Sequence, residues 1–140
     1  MSIAVTPHLN FRGDARAALE HYRDAFGGEL AIATHGEAGP VEDPSEVDLV
    51  IWGQVAAPSG FRIMAFDVPA ARPWDQGVAS FFVSVRTTDG AELAASFEVL
   101  AQDGTVVVPL GPSPWSPLYG MVTDRFGVTW VLDVEVAHAG

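Results

Sequence analysis

The chain has 140 residues, and 18 acidic against 7 basic side chains give it a formal net charge of −11. Its apolar fraction of 49% is typical of a globular protein, and this length supports a compact domain without a disulfide or structural metal. The lack of cysteine excludes thiolate zinc sites, iron–sulfur clusters and thiol nucleophiles, and it fits a reducing compartment. Because the basic residues are few and scattered, we expect no nucleic-acid partner.

The N-terminal residues give no sign of export. They lack the basic segment and the long apolar run of a signal peptide. The longest apolar stretches, such as residues 49–52, are far shorter than a membrane span. We therefore predict a soluble, cytoplasmic protein with no membrane partner.

The first half of the chain predicts a strand, a helix and three further strands. Residues 3–11 alternate weakly, as in a first strand. Asp14 then precedes residues 15–26, where apolar side chains recur at helical spacing until Gly27 and Gly28 end the helix. Three strands follow at 29–34, 47–55 and 61–68, with an exposed loop at 36–46.

The same order of elements starts again in the second half. An apolar run at 79–85 predicts a strand, and Asp89 with Glu92 resembles a capping box that starts a helix closed by Gly104. Strands follow at 105–108, 118–123 and 128–134, with a loop at 109–117. The recurrence predicts an α+β fold of two βαβββ modules, about 1–70 and about 78–136, within one domain of residues 1–140. The helix residues expected to pack on the sheets are Leu19, Tyr22, Phe26, Leu93 and Phe97.

Three segments carry a resemblance to a known family: 7–11, 18–28 and, from Trp115 onward, 119–130. They resemble the PhnB-like branch of the glyoxalase/bleomycin-resistance/dihydroxybiphenyl dioxygenase superfamily, also called the vicinal oxygen chelate superfamily. The resemblance spans nearly the whole chain. It implies that the two modules curl their sheets into an incomplete barrel around one cavity. It also implies a homodimer, since relatives commonly complete or cap that cavity with a second chain.

The resemblance also implies where a metal would bind, and most of those positions are vacant. His8 matches the usual first ligand, whereas the last strand places Val131 near the acidic ligand position. Asp133 or Glu135 would need a register shift to replace it. The remaining positions offer only Gln54 on the third strand and, on the fifth, Val83 or its neighbours. One clear ligand does not hold a divalent ion in a fixed geometry, so we predict no metal cofactor.

Five residues are predicted to line the cavity. Strand alternation puts Asn10 on the same face as His8, which makes a polar pair directed at the cavity. His8 is either a hydrogen-bonded cavity or core histidine or a direct ligand contact. Aromatic side chains are suited to a planar or amphipathic ligand. Those expected to line the cavity are Trp52, Trp115 and Tyr119.

The remaining aromatic residues and histidines are given other roles. Trp115 lies between Ser-Pro pairs, so it is also a candidate lid or dimer contact. Core packing is expected for Phe126 and Trp130, and surface positions are expected for His21, His35 and His138.

Three functions follow from these features. The first is a metal-independent protein that binds a small aromatic or cationic molecule in the cavity, a cation being favoured by the charge of −11. The alternative is a metal-dependent lyase, isomerase or dioxygenase of the same superfamily, or acid–base chemistry by His8. The third is a dimeric interaction module. Some PhnB-like sequences carry a methyltransferase label, but no S-adenosylmethionine loop is evident. The sequence leaves open whether the protein is an enzyme.

Overall fold

Each half of the chain folds as a strand, a helix and three further strands. The structure is a computed structural model that describes residues 3–136. It divides into two units, with the boundary between Gln76 and Gly77. The first unit contains β1 (His8–Phe11), α1 (Ala15–Phe26), β2 (Glu29–Thr34), α2 (His35–Ala38), β3 (Val50–Ala56) and β4 (Arg62–Asp67). The second contains β5 (Val83–Thr87), α3 (Gly90–Leu100), β6 (Thr105–Gly111), β7 (Tyr119–Thr123) and β8 (Thr129–Val134).

The strands form two four-stranded mixed sheets with the same topology. The first sheet has the order β1-β4-β3-β2 and the second the order β5-β8-β7-β6. In each, the first strand of the unit runs parallel to the last, and the other neighbours are antiparallel. The predicted α+β fold of two βαβββ modules is confirmed. The single domain of residues 1–140 stays a prediction.

In the first unit, strand alternation separates a face covered by α1 from an open face. Strand residues on the helix side are buried, among them Leu9, Val55 and Ile63. The amphipathic α1 supplies Leu19 and Tyr22, both fully buried, to this core. A side chain at Gly53 would meet Leu19, which shows how closely the helix approaches β3.

The start of α1 differs from the prediction in how it is capped. Asp14 occupies the N-cap position, but its side chain makes no capping hydrogen bond. The carboxylate of Asp67, at the end of β4, accepts hydrogen bonds from the backbone N–H groups of Gly13 (2.7 Å) and Ala15 (3.1 Å) instead. Its other oxygen accepts from the N–H of Val50, at 3.0 Å. Asp67 thus joins the start of α1 to β3 and β4.

In the second unit, Asp89 caps α3 as predicted, but the capping box is incomplete, because the backbone N–H of Asp89 donates to the Thr87 hydroxyl at 3.1 Å in place of the Glu92 carboxylate. The helix ends at Leu100, before Gly104. The Asp89 side chain accepts hydrogen bonds from the backbone N–H groups of Ala91 (3.0 Å) and Glu92 (3.2 Å). Leu93 and Phe97 are buried, as expected. Phe26, their predicted counterpart in the first unit, is only half-buried.

Several element boundaries differ from the prediction. Strand β1 is shorter than expected, since residues 3–7 precede it and lie largely exposed. The loop at 36–46 contains most of α2 and a 3₁₀ turn over Pro44–Glu46. Strand β6 continues through Pro109. Proline has no backbone N–H to donate, and β6 tolerates it because it is an edge strand, one side of which has no neighbouring strand in the sheet order. Across residues 3–136, no helix has both the length and the apolar character that crossing a bilayer requires.

Candidate functional site

The open face of the first sheet carries three of the predicted site residues. In the strand register, His8 is opposite Met64, Asn10 is opposite Phe66, and Trp52 is opposite Ala33. Residues directly opposite one another project to the same side of a sheet. We call this surface the open face; its side chains, all exposed or half-buried, include His8, Asn10, Trp52, Gln54, Met64 and Phe66.

His8 and Asn10 form a hydrogen-bonded pair beside an aromatic ring. Nδ1 of His8 lies 3.1 Å from Oδ1 of Asn10. The His8 ring meets the ring of Phe66 edge-on, with 5.3 Å between centroids and 63° between planes. Because an amide oxygen can only accept, this contact favours the tautomer with the hydrogen on Nδ1, in which Nε2 of the neutral ring carries the lone pair. The imidazole can therefore accept a hydrogen bond or a proton from a bound molecule.

Trp52 lies on the same face two strands away. Strand β4 separates β3 from β1, so Trp52 is roughly 10 Å across the sheet from the His8 strand. The register of β3 skips Ile51 between the partners of Thr34 and Ala33, which is the signature of a bulge. Trp52 keeps 41% of its surface exposed. The three residues thus combine polar and aromatic groups on one accessible surface.

The other two predicted residues, Trp115 and Tyr119, belong to the second unit. Their rings meet edge-on with 5.0 Å between centroids, and Trp115 stays half exposed. Buried Ser116 fixes this loop: its hydroxyl lies 2.8 Å from the carbonyls of Leu118 and Val134 and accepts from both of their N–H groups. Trp115 also lines a cleft of about 290 Å³ with neighbouring proline and serine residues. The structure therefore presents the five predicted residues in two groups.

The residues present do not fit a Lewis-acid metal centre. Within residues 3–136, no three His, Cys, Asp or Glu side chains are placed to hold a metal ion. Of Val83 and its neighbours, which were expected at a ligand position, Val83 is buried on the helix side and Ser84 faces the same way as Val131. Asp133 projects to the same side of the second sheet as Val131. The guanidinium of Arg86 forms an ion pair with the Asp133 carboxylate at 2.9 Å.

Sequence reasoning missed Trp74. Its indole N–H donates to the carbonyl oxygen of Asn10 at 3.1 Å, and the Arg12 guanidinium lies 5.7 Å from its ring centroid. Trp74 occurs in a connection rich in proline and glycine. Such a segment has no helical or strand periodicity that would predict which way the Trp74 side chain points. A lone tryptophan in such a loop is the one signal that could have drawn attention to it.

The histidines away from the open face differ from expectation. His21 was predicted on the surface but is 2% exposed, so that prediction is wrong: the buried side of α1 is broad enough to include it. His35 is half-buried at the start of α2, with Nε2 3.2 Å from the carbonyl oxygen of Asp67. It lines a cleft of about 310 Å³ that none of the five predicted residues reaches. His138 lies outside the described residues.

Comparison with known proteins now identifies the family. The chain belongs to the Glyoxalase/Bleomycin resistance protein/Dioxygenase superfamily, whose family model matches residues 7–132. Protein YjdN of Escherichia coli (strain K12) is 25% identical over 138 residues, which cover 93% of this chain and 94% of YjdN.

Two solved structures extend the comparison. Protein PA1353 from Pseudomonas aeruginosa has 34% identity and a TM-score of 0.85, covering 96% of this chain and 98% of its own. The PhnB protein from Bacillus cereus, described as a putative 3-demethylubiquinone-9 3-methyltransferase, has 26% identity and a TM-score of 0.73, covering 95% of this chain and 100% of its own. The PhnB-like resemblance of the sequence is confirmed.

Proposed function

We propose that this protein binds a small aromatic molecule on the open face of its first sheet without using a catalytic metal. The observation that carries the proposal is the His8–Asn10 pair, which is hydrogen-bonded, exposed and in contact with the Phe66 ring. Binding sites typically combine apolar and aromatic walls with a few fixed polar groups. His8 Nε2 accepts a hydrogen bond from the ligand, and Trp52 offers an aromatic surface further along the same face.

A positive charge on the ligand is the second part of the proposal. The protein's net charge of −11 raises the local concentration of cations and speeds their approach. This attraction is screened over roughly 8 Å at physiological ionic strength. The charge therefore favours entry of a cation, whereas aromatic contacts and His8 determine how long the ligand stays bound.

His8→Ala is expected to weaken binding of 9-aminoacridine, a planar fluorescent cation, by about tenfold. The variant loses the Nε2 acceptor and the edge-on contact with Phe66. Fluorescence anisotropy titration in buffer containing EDTA measures the affinity, and the wild-type affinity should be the same with and without EDTA.

The matched control is His35→Ala, which removes a half-buried histidine away from the open face and should leave the affinity unchanged. Loss of binding in the control but not in His8→Ala would place the site elsewhere and contradict the proposal. Binding that needs a divalent metal would favour the metal-dependent enzyme instead. Acridine-9-carboxylate, an anion of the same shape, tests the charge preference and should bind more weakly at low salt.

We also propose that the protein is a homodimer, and that Trp115 and Tyr119 contribute either to the ligand site or to the contact between copies. A rigidly held tryptophan with 50% exposure is the kind of residue that anchors interfaces. Light scattering at micromolar concentration should give about twice the chain mass of 14.8 kDa. A mass near that of one chain would contradict the dimer and leave the ligand site to be tested alone.

A further inference from the structure

The connection that follows β4 is bound to β1 by side-chain hydrogen bonds. We call residues 69–76 the strap. The guanidinium of Arg12 donates to the carbonyl oxygens of Pro69, at 3.3 Å, and Arg72. The same guanidinium lies over the Trp74 ring, and Trp74 in turn donates its indole N–H to Asn10. The strap is thus attached at two places, to Asn10 of β1 and to Arg12, which directly follows β1.

These bonds place Trp74 at the outer edge of the first sheet. Strand β1 is an edge strand, with β4 as its only neighbour in the sheet order. The carbonyls of Pro7 and Phe11 accept from the N–H groups of Met64 (3.0 Å) and Val68 (2.6 Å), so they point toward β4. Carbonyl directions alternate along a strand, so the carbonyl of Asn10 points outward, and it is this group that Trp74 binds. Trp74 therefore lies on the side of Asn10 opposite to β4 and Phe66.

We infer that Trp74 is a specificity-determining contact of the proposed ligand site. Phe66 bounds the His8–Asn10 pair on its inner side, and Trp74 bounds it on its outer side. Aromatic rings on both sides favour a flat, unsaturated ligand over a saturated one of equal size and charge, because ring faces and edges attract one another beyond simple apolar burial. The hydrogen bond to Asn10 and the contact with Arg12 keep the indole in place before the ligand arrives. This inference rests on the proposed function and names the ligand class of that same site.

A merely structural role for Trp74 is the competing explanation. Covering an exposed strand edge is a common use of loops, because it prevents pairing with other chains. In such a role, Trp74 would contribute to folding but would not affect which ligands the protein prefers. The two explanations differ in whether the ligand perturbs the indole and in whether the residue affects selectivity.

The first test follows the indole N–H signals of the wild-type protein in a ¹H–¹⁵N spectrum. The chain has four tryptophans, Trp52, Trp74, Trp115 and Trp130. Trp74→Phe assigns the Trp74 signal by its disappearance. Titration with 1-naphthylmethylammonium should shift that signal. The Trp130 signal should stay in place, because this indole is fully buried and bonded to Asp124. The measurement uses the unmodified protein, so it holds even if a Trp74 variant folds poorly.

The second test measures selectivity with a matched pair of ligands, 1-naphthylmethylammonium and its fully saturated decahydro analogue. The wild-type protein should prefer the aromatic cation by about fivefold, and Trp74→Leu should bring the two affinities close together. Trp74→Phe should keep part of the preference. Phe81→Leu removes an exposed aromatic residue outside the strap and should keep all of it.

Each outcome decides a separate question. If the wild type binds neither compound, the proposed function is overturned, and the inference is overturned with it. If the wild type prefers the aromatic cation but the Trp74 signal does not move and Trp74→Leu keeps the preference, the proposed function stands and the inference is wrong. Trp74 then only covers the strand edge.

Discussion

Replacing Asp67 with alanine is expected to lower the free energy of unfolding by about 3–5 kcal/mol. The Asp67 carboxylate is 1% exposed and accepts hydrogen bonds from the backbone N–H groups of Gly13, Ala15 and Val50. Alanine would leave these donors without their acceptor, and two of them, Ala15 and Val50, are buried. Each unsatisfied buried donor costs about 1–3 kcal/mol, so the loss is large for a single side chain. Urea unfolding, followed by far-ultraviolet circular dichroism, measures it.

Asp14→Ala is the matched control. Asp14 occupies the N-cap position of the same helix, yet its side chain is exposed and makes no capping bond. The same substitution there should change the unfolding free energy by less than about 0.5 kcal/mol. A large loss of unfolding free energy for Asp14→Ala together with a small loss for Asp67→Ala would show that Asp14 itself caps α1. The role assigned to Asp67 would then be wrong.

The role of Asp67 also bears on the proposed ligand site. It lies at the end of β4, next to Phe66, and joins that strand to the loop that follows β1. This loop begins directly after Phe11, three residues beyond His8. A buried anchor of this kind holds β1 and β4 in their parallel register, which brings His8 and Phe66 into contact.

Periodic features of the fold could be predicted from the sequence. Helix α1, residues 15–26, and the strand at 29–34 have the predicted boundaries, because their apolar spacing and flanking glycines are local signals. The apolar run at 79–85 misled the prediction, since β5 begins only at Val83 and Phe81 and Phe82 are exposed. A continuous apolar run indicates neither where a strand begins nor which residues it buries.

The candidate site could be predicted only in part. Alternation was enough to place His8 and Asn10 on one face. Residues two positions apart on a strand project to the same side of the sheet, and this does not depend on tertiary contacts. Asp67 and Trp74 could not be predicted in this way. The hydrogen bonds from Gly13 and Ala15 to Asp67, and from Trp74 to Asn10, join residues more than 50 positions apart in the chain. Nothing in their sequence surroundings marks the partner. Buried acceptors in strands and indoles in loops depend on tertiary contacts.

Residues 120–130, the most specific part of the resemblance to the family, contain a second buried carboxylate. Asp124 is 3% exposed in the turn between β7 and β8. One oxygen accepts from the backbone N–H groups of Phe126 (2.9 Å) and Val128 (3.1 Å), and the other accepts from the indole N–H of Trp130 at 2.9 Å. The carboxylate shapes the turn and fixes the largest fully buried side chain of the chain's described part.

Asp124→Asn is therefore expected to lower the free energy of unfolding by about 2–3 kcal/mol. Asparagine fills the same space but replaces one acceptor oxygen with an N–H₂ donor, which must face either the backbone N–H groups or the indole N–H. Asp103→Asn makes the same chemical change at an exposed carboxylate paired with Arg125, and asparagine tolerates the positive φ of 58° there. That control should lose less than about 0.5 kcal/mol.

The Trp130 indole N–H signal reports on the mechanism of this loss. If the asparagine amide turns its N–H₂ group toward the indole, the signal should shift strongly and its hydrogen should exchange faster with solvent. An unchanged signal with an unchanged unfolding free energy would contradict the role of Asp124. Because Trp130 is fully buried on the helix side of the sheet and its N–H is bonded to Asp124, its aromatic surface serves the core of the second unit. This part of the segment thus stabilises the fold of the second unit.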